Sequence, residues 1–447
     1  MSGDPNSTKL PKGVNHLFVF FFFNFLSCMI VMDAPIFLYA ESLGASATVM
    51  GLIAGLTPLM VVFQIPAADH VSRVGYKRFI TTGWTIRLFF VLPLIAVPLL
   101  AGRINQQSQL ALVIGALFCF NLIRGIASTG WFPWITGLIP ENVRGRYLTW
   151  ETAANNIGSL VALIIAALYL GASPGPNQFA ILFVFSLVMG LVSLWFVHRV
   201  PDSPVTEENA SNKQPVSWRA ILNHQPFRKL LWVSFTWAIL VGGLLGFMVK
   251  FLKKGPDAMA DNLVLYASAV KFAGGLITIW FLHSRLDRLG SRPLMFLALG
   301  IWAMVVVVWI GMSGGKLPVH FWMVCGAYLV MGFAFATFYM SLTKLVMATV
   351  PVMGKSHFFA LYSVVGSLAV GVFPIFWGIL IDTLAAVDIF WMGLNWNQYS
   401  IYFTALLLVI GVVLLQVMRL EEKKAVRVNE LLRDLIRHNP LRGWLRR

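Results

Sequence analysis

The sequence predicts an all-α polytopic membrane protein whose twelve transmembrane helices form two pseudo-symmetric six-helix bundles. Three observations predict this. Of 447 residues, 58% are hydrophobic and 12% charged, where soluble domains carry roughly 25% charge. About twelve apolar runs of roughly 20 residues can be marked, each long enough for a hydrocarbon core of about 30 Å. Two basic loops recur in order at about half the chain length, which points to an internal duplication.

The runs fall near 16–40, 47–68, 79–101, 110–135, 147–171, 179–199, 229–250, 262–284, 294–313, 319–343, 357–383 and 400–419. The repeated loops lie between them. The stretch 72–78 reads Ser-Arg-Val-Gly-Tyr-Lys-Arg, and 284–293 reads Ser-Arg-Leu-Asp-Arg-Leu-Gly-Ser-Arg-Pro, with Gly75 and Gly290 215 residues apart. A second pair, 140–146 and 351–357, recurs at an offset of 211. The organisation expected is a first bundle over 1–200, a linker over 201–227, a second bundle over 228–419 and a basic tail over 420–447. The stretch 201–212 is rich in Pro, Ser, Glu and Asn, as a flexible linker is. Residues 216–228 look like a short interfacial helix, and the tail like an amphipathic helix on an anionic leaflet.

Lys and Arg set the orientation. With the N-terminus in the cytoplasm, 26 of the 34 fall in cytoplasmic loops, linker and tails, and four (Arg103, Lys253, Lys254, Lys316) in outer loops. Both termini are therefore expected in the cytoplasm. The net charge of +16 is spread over loops and tail. It needs no nucleic acid to explain it. The three cysteines, Cys28, Cys119 and Cys325, sit inside apolar runs and suggest neither a disulfide framework nor a metal site. No phosphate-cradling loop, Gly-x-Ser-x-Gly or His-rich motif occurs, so neither an enzyme nor a nucleotide-driven pump is expected. No cofactor is expected.

Taken in order, span 1 carries Asp33, with Pro35 expected to loosen the helix just beyond it. Span 2 opens with Gly51 and Gly55, small residues four apart that permit close helix contact. Arg87 lies in span 3, nine residues past Arg78 and so about 13 Å into the membrane; a structural partner is expected for it. In span 4, Asn121, Arg124, Ser128 and Trp131 share one face, a polar stripe that should avoid lipid. Glu151 and Asn155 share a face of span 5. Lys271 lies near the middle of span 8, and Tyr328, Phe335 and Tyr339 run along one face of span 10. A loop rich in aromatic residues is expected over 384–399.

On these residues the chain resembles the major facilitator superfamily of secondary transporters. That family has six plus six helices, cytoplasmic termini and a long central loop. Its Gly-x-x-x-Asp-Arg-x-Gly-Arg-Arg-like loop between helices 2 and 3 is echoed between helices 8 and 9. Asp287, Arg288, Gly290 and Arg292 match the echo. In the first copy Ser72 stands at the aspartate's position and Tyr76 at the first arginine of the terminal pair, with Asp69 three residues earlier. Arg124 is similar in place to the helix-4 arginine of many proton-driven members.

The resemblance implies alternating access for a small organic solute, without a cofactor, by an integral protein of the plasma (inner) membrane working as a monomer among lipids. Arg87 and Arg124 cannot release a proton and can only pair with an acid or hold an anion. Asp33 and Glu151 can carry protons when an apolar surrounding favours the neutral form. Asp33 is therefore the expected protonation site, with Arg124 and Lys271 as anion contacts in one cavity between the halves. Asn121, Trp131, Tyr328 and Tyr339 are the other candidates, although packing is the commoner role of an aromatic. A cytoplasmic latch is expected among Asp69, Arg73, Gly75, Arg144, Glu151, Asp287, Arg288, Gly290 and Arg292. The leaning is to an anionic or zwitterionic substrate with proton coupling. Drug or metabolite efflux by proton antiport, a sensor and a lipid scramblase stand as alternatives.

Overall fold

A computed structural model describes residues 13–139, 141–202, 218–254, 258–282, 290–350 and 355–420. Among these, twelve helical segments are long and apolar enough to cross a bilayer. The first six, spans 1 to 6, are Asn15–Ser42, Ala47–Ala67, Tyr76–Leu99, Gln106–Leu138, Tyr147–Leu170 and Pro176–His198. Spans 7 to 12 are Gln225–Leu252, Asp261–Leu282, Ser291–Ser313, Phe321–Thr349, Leu361–Thr383 and Gln398–Met418. Each coincides with an expected apolar run. An even number of crossings leaves both termini on one side, called proximal here; the opposite face is distal. A short helix, Trp218–Asn223, precedes span 7, within the stretch expected to be interfacial. Most of the linker and the basic tail lie outside the described residues.

The duplication is visible in the backbone. Gly75 (φ 92°, ψ 139°) and Gly290 (φ 80°, ψ 154°) precede spans 3 and 9 in the same conformation, on the same proximal face. That region of backbone space is essentially reserved for glycine. Spans 1 and 7 are both interrupted. Span 1 is helical over Asn15–Met32, extended at Asp33 and helical again over Ala34–Ser42. Span 7 breaks at Gly242 and Gly243, the latter left-handed at φ 73°. The break expected just beyond Asp33 lies at Asp33 itself. Pro35 has no N–H to give Val31 and its ring crowds that carbonyl, so the distortion falls on the preceding turn.

The halves meet most closely along spans 2 and 11. A Cβ at Gly51 would stand 2.1 Å from the Pro374 carbonyl oxygen, and one at Gly55 2.2 Å from that of Gly371. Only hydrogen fits there, which is the packing role expected of these glycines. Spans 5 and 8 are the second contact, with Gly275 against the Asn156 side chain.

Hydrogen bonds and ion pairs that cross between the halves, both partners being described, lie inside the membrane or at the distal end. Asp382 at the end of span 11 accepts from Ala47 N (2.9 Å), Thr48 N (2.8 Å) and Thr48 Oγ1 (2.7 Å). Lys250 donates to Glu41 Oε2 at 2.9 Å and to the Ala45 carbonyl. The Asp261 and Asn262 amides donate to the carbonyls of Ala172 and Gly171. The distal face is thus closed.

The distal loop expected to be rich in aromatic residues forms a hairpin of β1, Asp388–Trp391, and β2, Leu394–Asn397. Met392 (φ 53°) and Gly393 (φ 75°) supply the left-handed pair that a two-residue turn requires. Asn397 Nδ2 donates to the Ser313 carbonyl at 2.7 Å and pins the hairpin on the end of span 9.

Candidate functional site

Three cavities open around the break in span 1, and each shares lining residues with another. The central one, about 430 Å³, lies between the halves. Its polar wall is Asp33, Lys271, Thr152 and Asn156; Trp302, Phe335 and Tyr339 face them. Lys271 Nζ stands 3.1 Å from Asp33 Oδ2, an ion pair from one half to the other. Asp33 Oδ1 accepts from Ala34 N at 2.8 Å, so the carboxylate also caps the second part of span 1. A carboxylate at a helix N-terminus gains from the dipole. The phenol ring of Tyr339 stacks on Phe335 with centroids 6.1 Å apart.

A second cavity of about 260 Å³ lies inside the first half. Arg87, Arg124, Glu151, Asn155, Ser128 and Trp131 line it. Arg87 is 2% exposed. One of its terminal nitrogens donates to Asn24 Oδ1 at 2.5 Å. Its guanidinium carbon stands 5.3 Å from the Trp84 ring centroid and 5.6 Å from that of Phe120. Arg124 reaches the Thr57 carbonyl at 3.4 Å, beside the point where span 2 tightens to a 3₁₀ turn over Met60–Phe63. The Nε atoms of both arginines are buried and have no hydrogen-bond partner among the described residues.

The third cavity, about 230 Å³, is lined by Asn121, Thr57, Met32 and Leu245 among others. The Asn121 amide is occupied, accepting from Thr57 Oγ1 at 2.8 Å and donating to the Leu117 carbonyl.

Several expectations are corrected by this geometry. Asp33, Arg124 and Lys271 do not share one cavity, because Asp33 turns to Lys271 across the halves and Arg124 stays within the first half. Tyr328 is fully buried against Trp309 and does not line the central cavity. It shares a helix face with Tyr339 but lies about one turn distal of Met331 and Gly332, the residues of span 10 that line the cavity nearest to it. Glu151, expected at a latch with Arg144, lines the arginine cavity. Its helix already begins at Glu141, so ten residues carry it about 15 Å from the end. Arg87 has a structural partner in Asn24 and lines the same cavity as well. Trp131 sits in a cluster with Phe20, Phe21, Trp84 and Trp134, as packing would have it.

Of the expected latch, Arg73 is exposed and lines a proximal groove with Arg78. Arg292 donates to the Met418 carbonyl within the second half. Asp287 and Arg288, and the side chains of Asp69 and Arg144, lie outside the described residues. Sequence reasoning missed the distal ties of Glu41, Lys250 and Asp382. The available signal was opposite charge at the ends of spans 1 and 7, the counterparts in the duplication.

The family model of the Major Facilitator Superfamily matches residues 17–283. The chain belongs to that superfamily. As such it is a secondary transporter, integral to a membrane. No curated protein is significantly similar to it in sequence. Solved structures share the fold. A single-residue mutant of the nucleoside transporter NupG superposes with a TM-score of 0.69 at 13% identity, over 92% of this chain and 100% of that one. A bacterial homologue of the iron transporter ferroportin, inward-facing, gives 0.67 at 11% identity over 92% and 99%. A D-xylose–proton symporter gives 0.66 at 13% identity over 93% and 97%.

Proposed function

We propose that this transporter carries a small anionic or zwitterionic organic solute across the plasma (inner) membrane by alternating access, coupled to protons. The observation that carries the reading is the Asp33–Lys271 pair, which ties the halves together within the cavity between them. A buried carboxylate that protonates loses its hold on an ammonium, and the low dielectric makes that change large. Protonation of Asp33 thus loosens one half from the other and frees Lys271 for a substrate carboxylate. Arg124, in the adjoining cavity of the first half, is a second anion contact in this reading, separate from Lys271. The termini are cytoplasmic in this reading, as the distribution of Lys and Arg supports, and the closed distal face is then the outer one. The halves divide at the 201–227 linker, and one copy of the chain suffices.

The test is uptake into proteoliposomes of a panel of labelled organic anions and amino acids, with and without an imposed proton gradient. Asp33→Asn is expected to abolish accumulation driven by the gradient while exchange of labelled for unlabelled solute continues. Accumulation by the variant against a gradient would sink the coupling role. One observation favours a second reading, efflux of amphipathic compounds by proton antiport. Apart from its ion pair, the central cavity is walled mainly by apolar residues such as Trp302, Phe335, Met331 and Met340. Walls of that kind suit an amphipathic ligand.

A further inference from the structure

The arginine cavity holds a charge problem that the central cavity does not. Two guanidiniums line it, and arginine keeps its charge at any accessible pH. One carboxyl group, that of Glu151, lines it with them. Among the described residues no ion pair joins Glu151 to either arginine; the ion pairs formed by spans 1 to 6 involve Glu41 and Asp33. The cavity is therefore singly positive with Glu151 ionised and doubly positive with it protonated. An uncompensated charge inside a membrane protein costs several kcal/mol even after relaxation. The rings of Trp84 and Phe120 ease that cost for Arg87 without cancelling its charge. Two features of the lining suit an anion: Asn24 orients Arg87, and the Nε donors of both arginines lack partners among the described residues.

We infer that Arg87 and Arg124 form a two-guanidinium anion site inside the first half, and that Glu151 competes internally for it. The ligand is a carboxylate, sulfonate or phosphate group small enough for a cavity of about 260 Å³. Ionised, Glu151 offsets one of the two cations and repels the incoming group. Protonated, it leaves both arginines to the ligand and can donate a hydrogen bond to it. Anion and proton are therefore taken up together at this site, one proton for each anion, which is the order of a symporter. The other charged or titratable groups facing Glu151 are Arg87 on span 3, Arg124 on span 4 and Cys28 on span 1; Tyr147, one turn away on its own helix, interacts with the Glu151 carboxyl through its side chain. Lys271 on span 8 is taken up by Asp33. The side chains of Arg144 and Arg146, further towards the proximal end of the same helix, lie outside the described residues.

This deepens the transport reading above and rests on it, but its test reads binding rather than flux. Radiolabelled sulfate and benzenesulfonate keep a constant charge between about pH 5 and pH 8, so any change in their binding belongs to the protein. Scintillation proximity on the purified full-length protein is expected to show both anions binding about tenfold more tightly at the acid end. Glu151→Gln is expected to bind at the alkaline end as tightly as the unaltered protein does at the acid end, with the pH dependence gone. Arg87→Gln and Arg124→Gln should each weaken binding about tenfold or more, their fold being checked by gel filtration and thermal unfolding. Asp33→Asn should keep the pH dependence. The inference is overturned if Glu151→Gln retains the original pH dependence, if neither anion binds the protein or Glu151→Gln, or if binding survives loss of the arginines. Absence of flux in proteoliposomes beside the expected binding would count against transport while leaving the anion site in place.

Discussion

Asp382→Ala should open the distal face. Span 2 begins at Ala47, and its first amides have no carbonyl to bond within the helix. Ser46 serves the Val49 amide from within the same half. Asp382 serves Ala47 and Thr48 from the other half, at 2.9 and 2.8 Å, and takes the Thr48 hydroxyl at 2.7 Å. Loss of an N-terminal cap costs about 1 kcal/mol. Removing an anion from a helix N-terminus costs about 0.5 kcal/mol more. Asp382 is half-buried, so water replaces part of what is lost and the sum stays near 1.5 kcal/mol. At 1.4 kcal/mol per decade, the equilibrium between distal-closed and distal-open forms shifts about tenfold. The assay is double electron–electron resonance between spin labels at Ser42 and Ala385, exposed residues of opposite halves, with the three native cysteines replaced. A longer-distance population should grow in Asp382→Ala, and in Asp382→Asn by less, since an amide oxygen still accepts one bond. If the distance distribution of Asp382→Ala matches that of the unaltered protein, the bonds do not hold the halves together and the reasoning fails.

Two further outcomes follow from the same contacts. Gly51→Leu should prevent distal closure altogether, because its Cβ alone would stand 2.1 Å from a backbone oxygen of span 11. The same resonance assay would show the longer distance dominating, and an unchanged distribution would mean that spans 2 and 11 do not pack this way. Lys271→Met should lower the thermal unfolding temperature by leaving Asp33 without its cation, while the double variant with Asp33→Asn recovers most of the loss. Additive losses in that cycle would show the pair to be uncoupled.

The helices were legible because their cause is local. A run of about 20 apolar residues has few alternatives to a membrane helix, since every backbone polar group must be satisfied inside the segment. Gly75 and Gly290 were legible for a similar reason, as each occupies a backbone conformation that side chains forbid. The site was only half legible. Of the stripe expected on span 4, Arg124, Ser128 and Trp131 line one cavity and Asn121 lines another. The approach of Arg87 and Glu151 to them depends on how spans 3, 4 and 5 pack, and no spacing within one helix encodes that. For the same reason the sequence leaves open which of Arg124 and Lys271 meets Asp33, and the structure has Lys271 there. Depth in the membrane was readable for Arg124 and Lys271 alike, and depth alone cannot say which lies across from span 1.

Span 1 brings these features into one argument. Asn24 and Cys28 face the arginine cavity, Asp33 faces the central cavity, and Met29 lines both. The helix is broken at Asp33, and its two parts make different contacts. The part beyond the break is held distally by Glu41 to Lys250, and at the break by Asp33 to Lys271. Both ties lead to the second half. The part before the break carries Asn24, which positions Arg87, and packs within the first half on spans 5 and 6. Loading of the arginine cavity therefore acts on one part of the helix, and release of the halves acts on the other. In the mechanism proposed above, two carboxyl groups then divide the work, Glu151 governing entry of the anion and Asp33 the separation of the halves. Proton binding at Glu151 leaves in place the ties of Asp33 and Glu41, at the break in span 1 and beyond it, and those of Asp382 to span 2.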